Sequence, residues 1–322
     1  MTNAGANRRR LASLLALAVV TVLIVLAARR LSFAQVFAEL GAARPLWIVL
    51  AMLCFAAILP LWALQWRILA PSHPRVAFPT MLGVVAMTST VLNTTPLLVG
   101  EAAAVYFLVT RAMLTRAAAL SVLAMDQLFV GVAKLCVLSA AAAIVVLPAW
   151  MASGAKALLI VIVALLAGLL VLAWRGEALS VAAAHRIPAR VARLAAAVGS
   201  ALAPIRSPSR SGGALALALA KKTAEALAIL CMQRAFGLEL SAASALVILG
   251  AVNLATLLPV VPGNVGVYEA AVVVGYSYFG VAPERALGIA VVQHACFFLV
   301  LALPGYRWLG RGALSRSTAA AA

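Results

Sequence analysis

The sequence predicts an all-α fold: a polytopic membrane protein with about six full spans and two re-entrant helical hairpins arranged as an inverted repeat. Three observations predict it. Hydrophobic residues make up 66% of the 322-residue chain and charged residues 10%, a composition outside the range of soluble globular domains. Apolar runs long enough to cross about 30 Å of hydrocarbon recur along the chain. Two further apolar regions, 77 to 110 and 243 to 280, are each interrupted by a polar, proline-containing knuckle.

The first run, Leu11 to Ala28, follows the basic start MTNAGANRRR. That order resembles a secretory signal, but the run is long enough to span and more spans follow, so it is expected to be an uncleaved first helix. The other full spans are expected at 46–66, 117–148, 157–174, 214–236 and 286–306, all within a single integral membrane domain over 1–322. The polar segment 175–213 carries six arginines and SPSRSGG. It is too small for a catalytic domain and is expected to be a basic cytoplasmic loop with an amphipathic helix on the membrane surface.

The knuckles are LNTTPLLVGE, with Asn93, Pro96, Gly100 and Glu101, and LLPVVPGNVGVYE, with Pro259, Pro262, Gly263, Asn264, Gly266, Tyr268 and Glu269. The apolar pieces around them, roughly 14 to 16 residues each, are too short to span at 1.5 Å per residue. Proline inside a helix costs roughly 3 kcal/mol, and freed carbonyls facing lipid cost several more. Such a break persists where it is buried in protein or lines a cavity. The units are therefore 77–148, a hairpin plus a span, and 243–306, its counterpart.

The net charge of +17 is not a nucleic-acid footprint, because the basic residues lie between apolar runs rather than along one face. They are topology signals. With the amino terminus inside, sixteen Lys and Arg fall on the cytoplasmic side, against five outside: Arg29, Arg30, Arg44, Lys156 and Arg285. The expected location is a bacterial inner membrane with both termini cytoplasmic. The hairpins then enter from opposite sides, each followed by a span. Glu101 to Asp126 is the same interval as Glu269 to His294, 25 residues.

No HExxH, Walker, GxSxG or kinase signature is present, and the four cysteines have no metal-ligand spacing. No catalytic residue, metal or cofactor is expected. Glu101 and Glu269 open the returning half-helices, where the helix dipole favours an anion by roughly 0.3 to 1 kcal/mol. An ionisable group at membrane depth costs about 2.5 to 3.5 kcal/mol, so binding or proton coupling stands beside the helix-start role. Asp126 shares a face with Lys134 two turns on, as a mediated structural pair or a functional one. His294 is a proton shuttle or a packing residue. Lys221 and Glu225 are expected to pair at i,i+4, with Lys221 and Lys222 snorkelling to headgroups. The six tryptophans near span ends are expected to form an aromatic belt.

LNTTPLLVGEAAAVYFLV (92–109), LATLLPVVPGNVGVYEAA (254–271) and FGVAPERALGIAVVQH (279–294) make the chain resemble the flippase-like membrane region of the lysylphosphatidylglycerol synthase family. The resemblance covers about 45 to 308. It departs from the family pattern at Val99, at Asn264, and at Gln127 and His294, where members commonly carry arginine. It implies a lipid flippase or lipid-handling transporter that moves a polar headgroup between the hairpins. Under that reading the substrate-binding residues are Glu269, Glu101, Pro262, Gly263, Asn264, Gly266, Tyr268, Asn93, Pro96, Gly100, Asp126, Gln127 and His294. The alternatives are a membrane-embedded enzyme and a non-transporting partner in envelope lipid or glycolipid assembly. Partners are membrane lipids and, on the last reading, lipid-biosynthesis enzymes; nucleic acid is not among them.

Overall fold

The structure, a computed structural model, describes residues 41–71, 75–95, 99–182, 197, 199, 202, 205, 207–257 and 261–309, with side chains omitted over 175–182. The predicted helix at 11–28, Pro96, Pro259 and most of the basic segment 183–206 lie outside the described residues.

The described residues form helices and no strand: α1 (Pro45–Leu69), α2 (Phe78–Thr94), α3 (Val99–Thr110), α4 (Arg116–Ile144), α5 (Ala149–Ala182), α6 (Pro208–Ala235), α7 (Ala242–Ala255), α8 (Val267–Ser277) and α9 (Pro283–Leu301). A 3₁₀ turn, Pro262–Asn264, sits between α7 and α8. Pro45, Pro208 and Pro283 each stand in a first helical turn, where a missing N–H costs nothing. Among the described residues, four helical stretches are long and apolar enough to cross a membrane: Pro45–Leu69, Arg116–Ile144, Ala149–Trp174 and Pro283–Leu309. α6 has the length, 28 residues, but carries Lys221, Lys222 and Glu225 in its middle.

Two boundaries differ from the sequence expectation. The predicted span at 157–174 is part of a 34-residue helix reaching Ala182, so the basic segment starts as helix. At its other end Pro208 already opens α6, and SRSGG is helical. Arg210 explains the second shift: its guanidinium donates to the carbonyls of Ile68 and Ala70, capping the end of α1 and holding the first turn of α6 against it.

Tertiary contacts define two ends. At one, the Arg44 amide donates to Ala235 O (2.8 Å), Arg285 donates to Phe236 O, and Tyr278 donates to Val146 O. At the other, Arg67 Nε donates to Val76 O (2.9 Å), Arg210 meets α1, and Trp308 lies against Gly83. The α2–α3 hairpin opens at this second end and the α7–α8 hairpin at the first. Their four helices have 17, 12, 14 and 11 residues, or about 26, 18, 21 and 17 Å. Each falls short of the hydrocarbon thickness, and the tips meet inside the bundle. A Cβ on Gly263 would stand 2.9 Å from Asn93 O.

The break after α2 satisfies its own carbonyls. Asn93 Nδ2 donates to Ser89 O (2.8 Å), Thr94 Oγ1 to Thr90 O (2.7 Å) and Thr95 Oγ1 to Val91 O (2.7 Å). Polar side chains that bond back one turn replace the water that a helix end needs. Thr90 Oγ1 also donates to Ala302 O (2.5 Å), a carbonyl at the end of α9. At the second knuckle Gly263, Asn264 and Gly266 have φ of 61°, 53° and 85°. Asn264, where the family pattern has glycine, is compatible with that left-handed backbone because its short amide tolerates it.

Candidate functional site

The hairpin tips border two adjoining chambers of about 230 and 310 Å³. Asn93, Val130, Lys134, Lys222, Glu225, Thr256, Asn264 and Phe297 line both. The upper chamber adds Asn253, Gly263, Tyr268 and His294; the lower adds Trp62, Glu101, Asp126, Gln127 and Lys221.

The charges come mostly from α4 and α6. Buried alanines at 214, 218, 224, 228 and 235 leave α6 slim enough for α1 and α4 to close around it. Lys221 and Lys222 are consequently 6% and 8% exposed, enclosed rather than snorkelling to headgroups. Lys222, not Lys221, pairs with Glu225: Nζ donates to both carboxylate oxygens at 2.8 and 2.7 Å and to Asn253 Oδ1 at 3.1 Å. The spacing is i,i+3, which lies on one helix face as i,i+4 does. Lys221 points instead to Asp126, with Nζ 3.7 Å from Oδ1, an ionic contact without a hydrogen bond. It also stands 5.5 Å from the Trp62 ring centre. Asp126 therefore has its cation on α6, and Lys134 is free of it.

Lys134 lies 18 residues beyond Arg116, about 27 Å along α4, and ten residues before its end. Among the described residues its ammonium has neither a hydrogen bond nor an ion pair within 4 Å. Nearby polar atoms lack partners as well: Glu101 Oε2, Asn253 Nδ2, Asn264 Oδ1 and Trp62 Nε1 are buried without hydrogen bonds among the described residues.

The second knuckle is tied down. Glu269 Oε2 accepts the Gly266 N–H at 2.7 Å, the side-chain half of a capping box, and Oε1 lies 2.6 Å from His294 Nδ1. His294 stacks on Tyr268, with ring centres 4.2 Å apart and planes 20° apart. Gln293 Nε2 donates to the Tyr268 hydroxyl at 2.7 Å. His294 and Glu269 also border an open, mostly apolar cleft with Val265, Val291 and Phe298. The pair thus stands between the inner chamber and the outer face.

Of the sequence-predicted residues, Asn93, Glu101, Asp126, Gln127, Gly263, Asn264, Tyr268 and His294 border the chambers. Gly266 and Glu269 form the start of α8 just behind. Gly100 is buried with its Cα side against Leu92, where a Cβ would be 2.8 Å from the Leu92 backbone, so it shapes the turn. Pro262 is exposed. The tryptophans divide: Trp150 and Trp174 are exposed at 45% and 72%, whereas Trp66 is 1% exposed and Trp62 faces the cavity. Those two belong to the interior, with their rings in edge contact at 5.3 Å. Lys134, Lys221, Lys222 and Glu225, read from the sequence as ion-pair or headgroup residues rather than as binding residues, line the cavity, and so does Asn253, which the sequence did not single out. The signal was a charged KKTAE block in the middle of a helix long enough to span.

These features define a class: a multi-pass helical membrane protein that encloses a charged cavity between two opposed, broken-helix hairpins. The family model for the lysylphosphatidylglycerol synthase TM region matches residues 13–305, and the chain belongs to that family. The membership makes it a membrane protein tied to lipid handling. No curated protein matches the chain in sequence.

Proposed function

We propose that the protein is a lipid flippase or lipid-handling transporter of the bacterial inner membrane, with both termini cytoplasmic. The polar headgroup moves through the chambers while the acyl chains stay in the bilayer. The observation that carries this reading is the cavity itself. Charged side chains from α3, α4 and α6 converge between hairpin tips, in helices whose outer faces are apolar. Charges enclosed at that depth are costly unless a polar cargo uses them. The opposed hairpins act as two re-entrant halves of an inverted repeat, and rocking of one against the other opens the site alternately to each side.

Reconstitution into proteoliposomes with headgroup-labelled fluorescent lipids tests the proposal. Accelerated exchange between leaflets without chemical change is the expected result. Conversion of the lipid to a new product would replace transport by a membrane-embedded enzyme, and absence of both would leave a non-transporting partner of lipid-assembly enzymes.

A further inference from the structure

We infer that Lys134 is the anion-binding group of the cavity and takes a phosphate, with the Asn253 side-chain amide as a neighbouring donor. The inference rests on the transport reading and names the chemistry that the cavity grips.

Among the described residues three lysines face the chambers, and two are already neutralised. Lys222 is held by both oxygens of Glu225 and by Asn253 Oδ1, and Lys221 faces Asp126. Lys134 alone has no ion pair among the described residues, although it borders both chambers. Asn253 gives its carbonyl oxygen to Lys222, which leaves Nδ2 without a partner beside the same upper chamber. Lys134 is half-buried, and an ammonium partly withdrawn from water without a counter-ion is unfavourably placed. An incoming anion relieves it, and a phosphate offers acceptor oxygens to the ammonium and the amide together. Glu101, the remaining carboxylate of the lower chamber, stands beyond salt-bridge range of Lys134, with Oε2 unsatisfied. It disfavours a second anion there and directs the phosphate to the Asn253 side. His294, the other basic group of the upper chamber, is engaged by Glu269.

A phosphate reaches this point as part of a lipid headgroup or as a free ion, and two probes separate the sources. The full chain in detergent is titrated with phosphatidylglycerol, with diacylglycerol of the same acyl composition, and with inorganic phosphate. Native mass spectrometry reads bound lipid, and thermal unfolding reads stabilisation by ligand. Wild type should retain phosphatidylglycerol in preference to diacylglycerol. Lys134→Met, close in size and uncharged, should weaken that retention roughly tenfold or more, as expected for loss of a charge-assisted contact. Lys134→Arg should keep most of it. Without ligand, Lys134→Met should unfold at a temperature equal to or above that of wild type, because an unpaired charge has been removed. Stabilisation of wild type by inorganic phosphate alone, lost in Lys134→Met, would assign the same site to a free ion.

Equal retention of phosphatidylglycerol and equal response to phosphate in wild type and Lys134→Met overturns the inference. So does a Lys134→Met protein that melts earlier but binds normally, since Lys134 would then be structural. The transport reading fails separately. Leaflet exchange absent from wild-type proteoliposomes refutes transport while the binding data still decide the site. Normal exchange by Lys134→Met refutes the site alone.

Discussion

Glu269 and His294 stand 25 positions apart and meet at 2.6 Å, carboxylate Oε1 against imidazole Nδ1. The other oxygen of that carboxylate closes the start of α8 through Gly266 N–H. One side chain thus fixes the second hairpin to the helix that follows it. Glu101 and Asp126 repeat the interval in the first unit without repeating the bond; Asp126 turns to Lys221, and Glu101 Oε2 is unsatisfied among the described residues. The two units are alike in layout and differ in attachment: the second hairpin is tied to α9 by Glu269 and His294, the first by Thr90 and the Ala302 carbonyl.

Glu269→Gln tests whether charge or shape matters at that junction. Glutamine keeps the size, can still accept from Gly266 N–H, and can donate to a neutral His294. Lipid exchange in proteoliposomes should fall to background while the melting temperature changes little. Full exchange by the variant would reduce the carboxylate to a helix-start residue.

Gly263→Ala should destabilise the protein by about 1 to 3 kcal/mol, through its left-handed backbone and through the Asn93 carbonyl 2.9 Å from the new Cβ. Gly280→Ala is the control, because φ there is 72° but nothing lies within 4 Å of a Cβ. The larger drop in melting temperature should belong to Gly263→Ala. Equal drops would mean that contact between the hairpin tips contributes nothing to stability.

Lys222→Met strands Glu225 in the interior and should cost about 3 to 5 kcal/mol, whereas Lys222→Met with Glu225→Gln should recover much of that loss. Chemical or thermal unfolding of the purified chain reads both. A double variant no better than the single one would show that the pair matters through its packing and its bond to Asn253, not through charge balance.

The sequence made the helix breaks at the two knuckles legible because proline and glycine break helices by rules that are local. Gly263, Asn264 and Gly266 stand at positive φ, a backbone that no α-helix continues through. The contact between Glu269 and His294 was half legible: equal spacing picked out both residues but not their meeting, which requires α8 and α9 to lie side by side. The lysine cluster was misread because a helical wheel gives faces and not neighbours. Lys221 and Glu225 share a face, yet Asp126 on α4 takes Lys221 and leaves Glu225 to Lys222. Lys134 followed the same path, freed from Asp126 by a residue 87 positions further along the chain.

Orientation in the membrane is the last prediction, and the two ends of the bundle make it direct. Met113, 79% exposed, lies in the turn between α3 and α4, at the end where Arg67 meets Val76 and Arg210 caps α1. Ser153 and Ala282, both exposed, lie near the opposite end, where Arg285 meets Phe236 and Tyr278 meets Val146. The positive-inside rule puts the Met113 end in the cytoplasm, because the basic excess lies there. In a background with the four native cysteines replaced, a membrane-impermeant maleimide added to intact cells should label Ser153→Cys and Ala282→Cys. Met113→Cys should react only after the inner membrane is opened. Labelling of Met113→Cys in intact cells with protection of the other two would reverse the orientation while leaving the opposed hairpins intact. Labelling of all three in intact cells would mean that α4 does not cross.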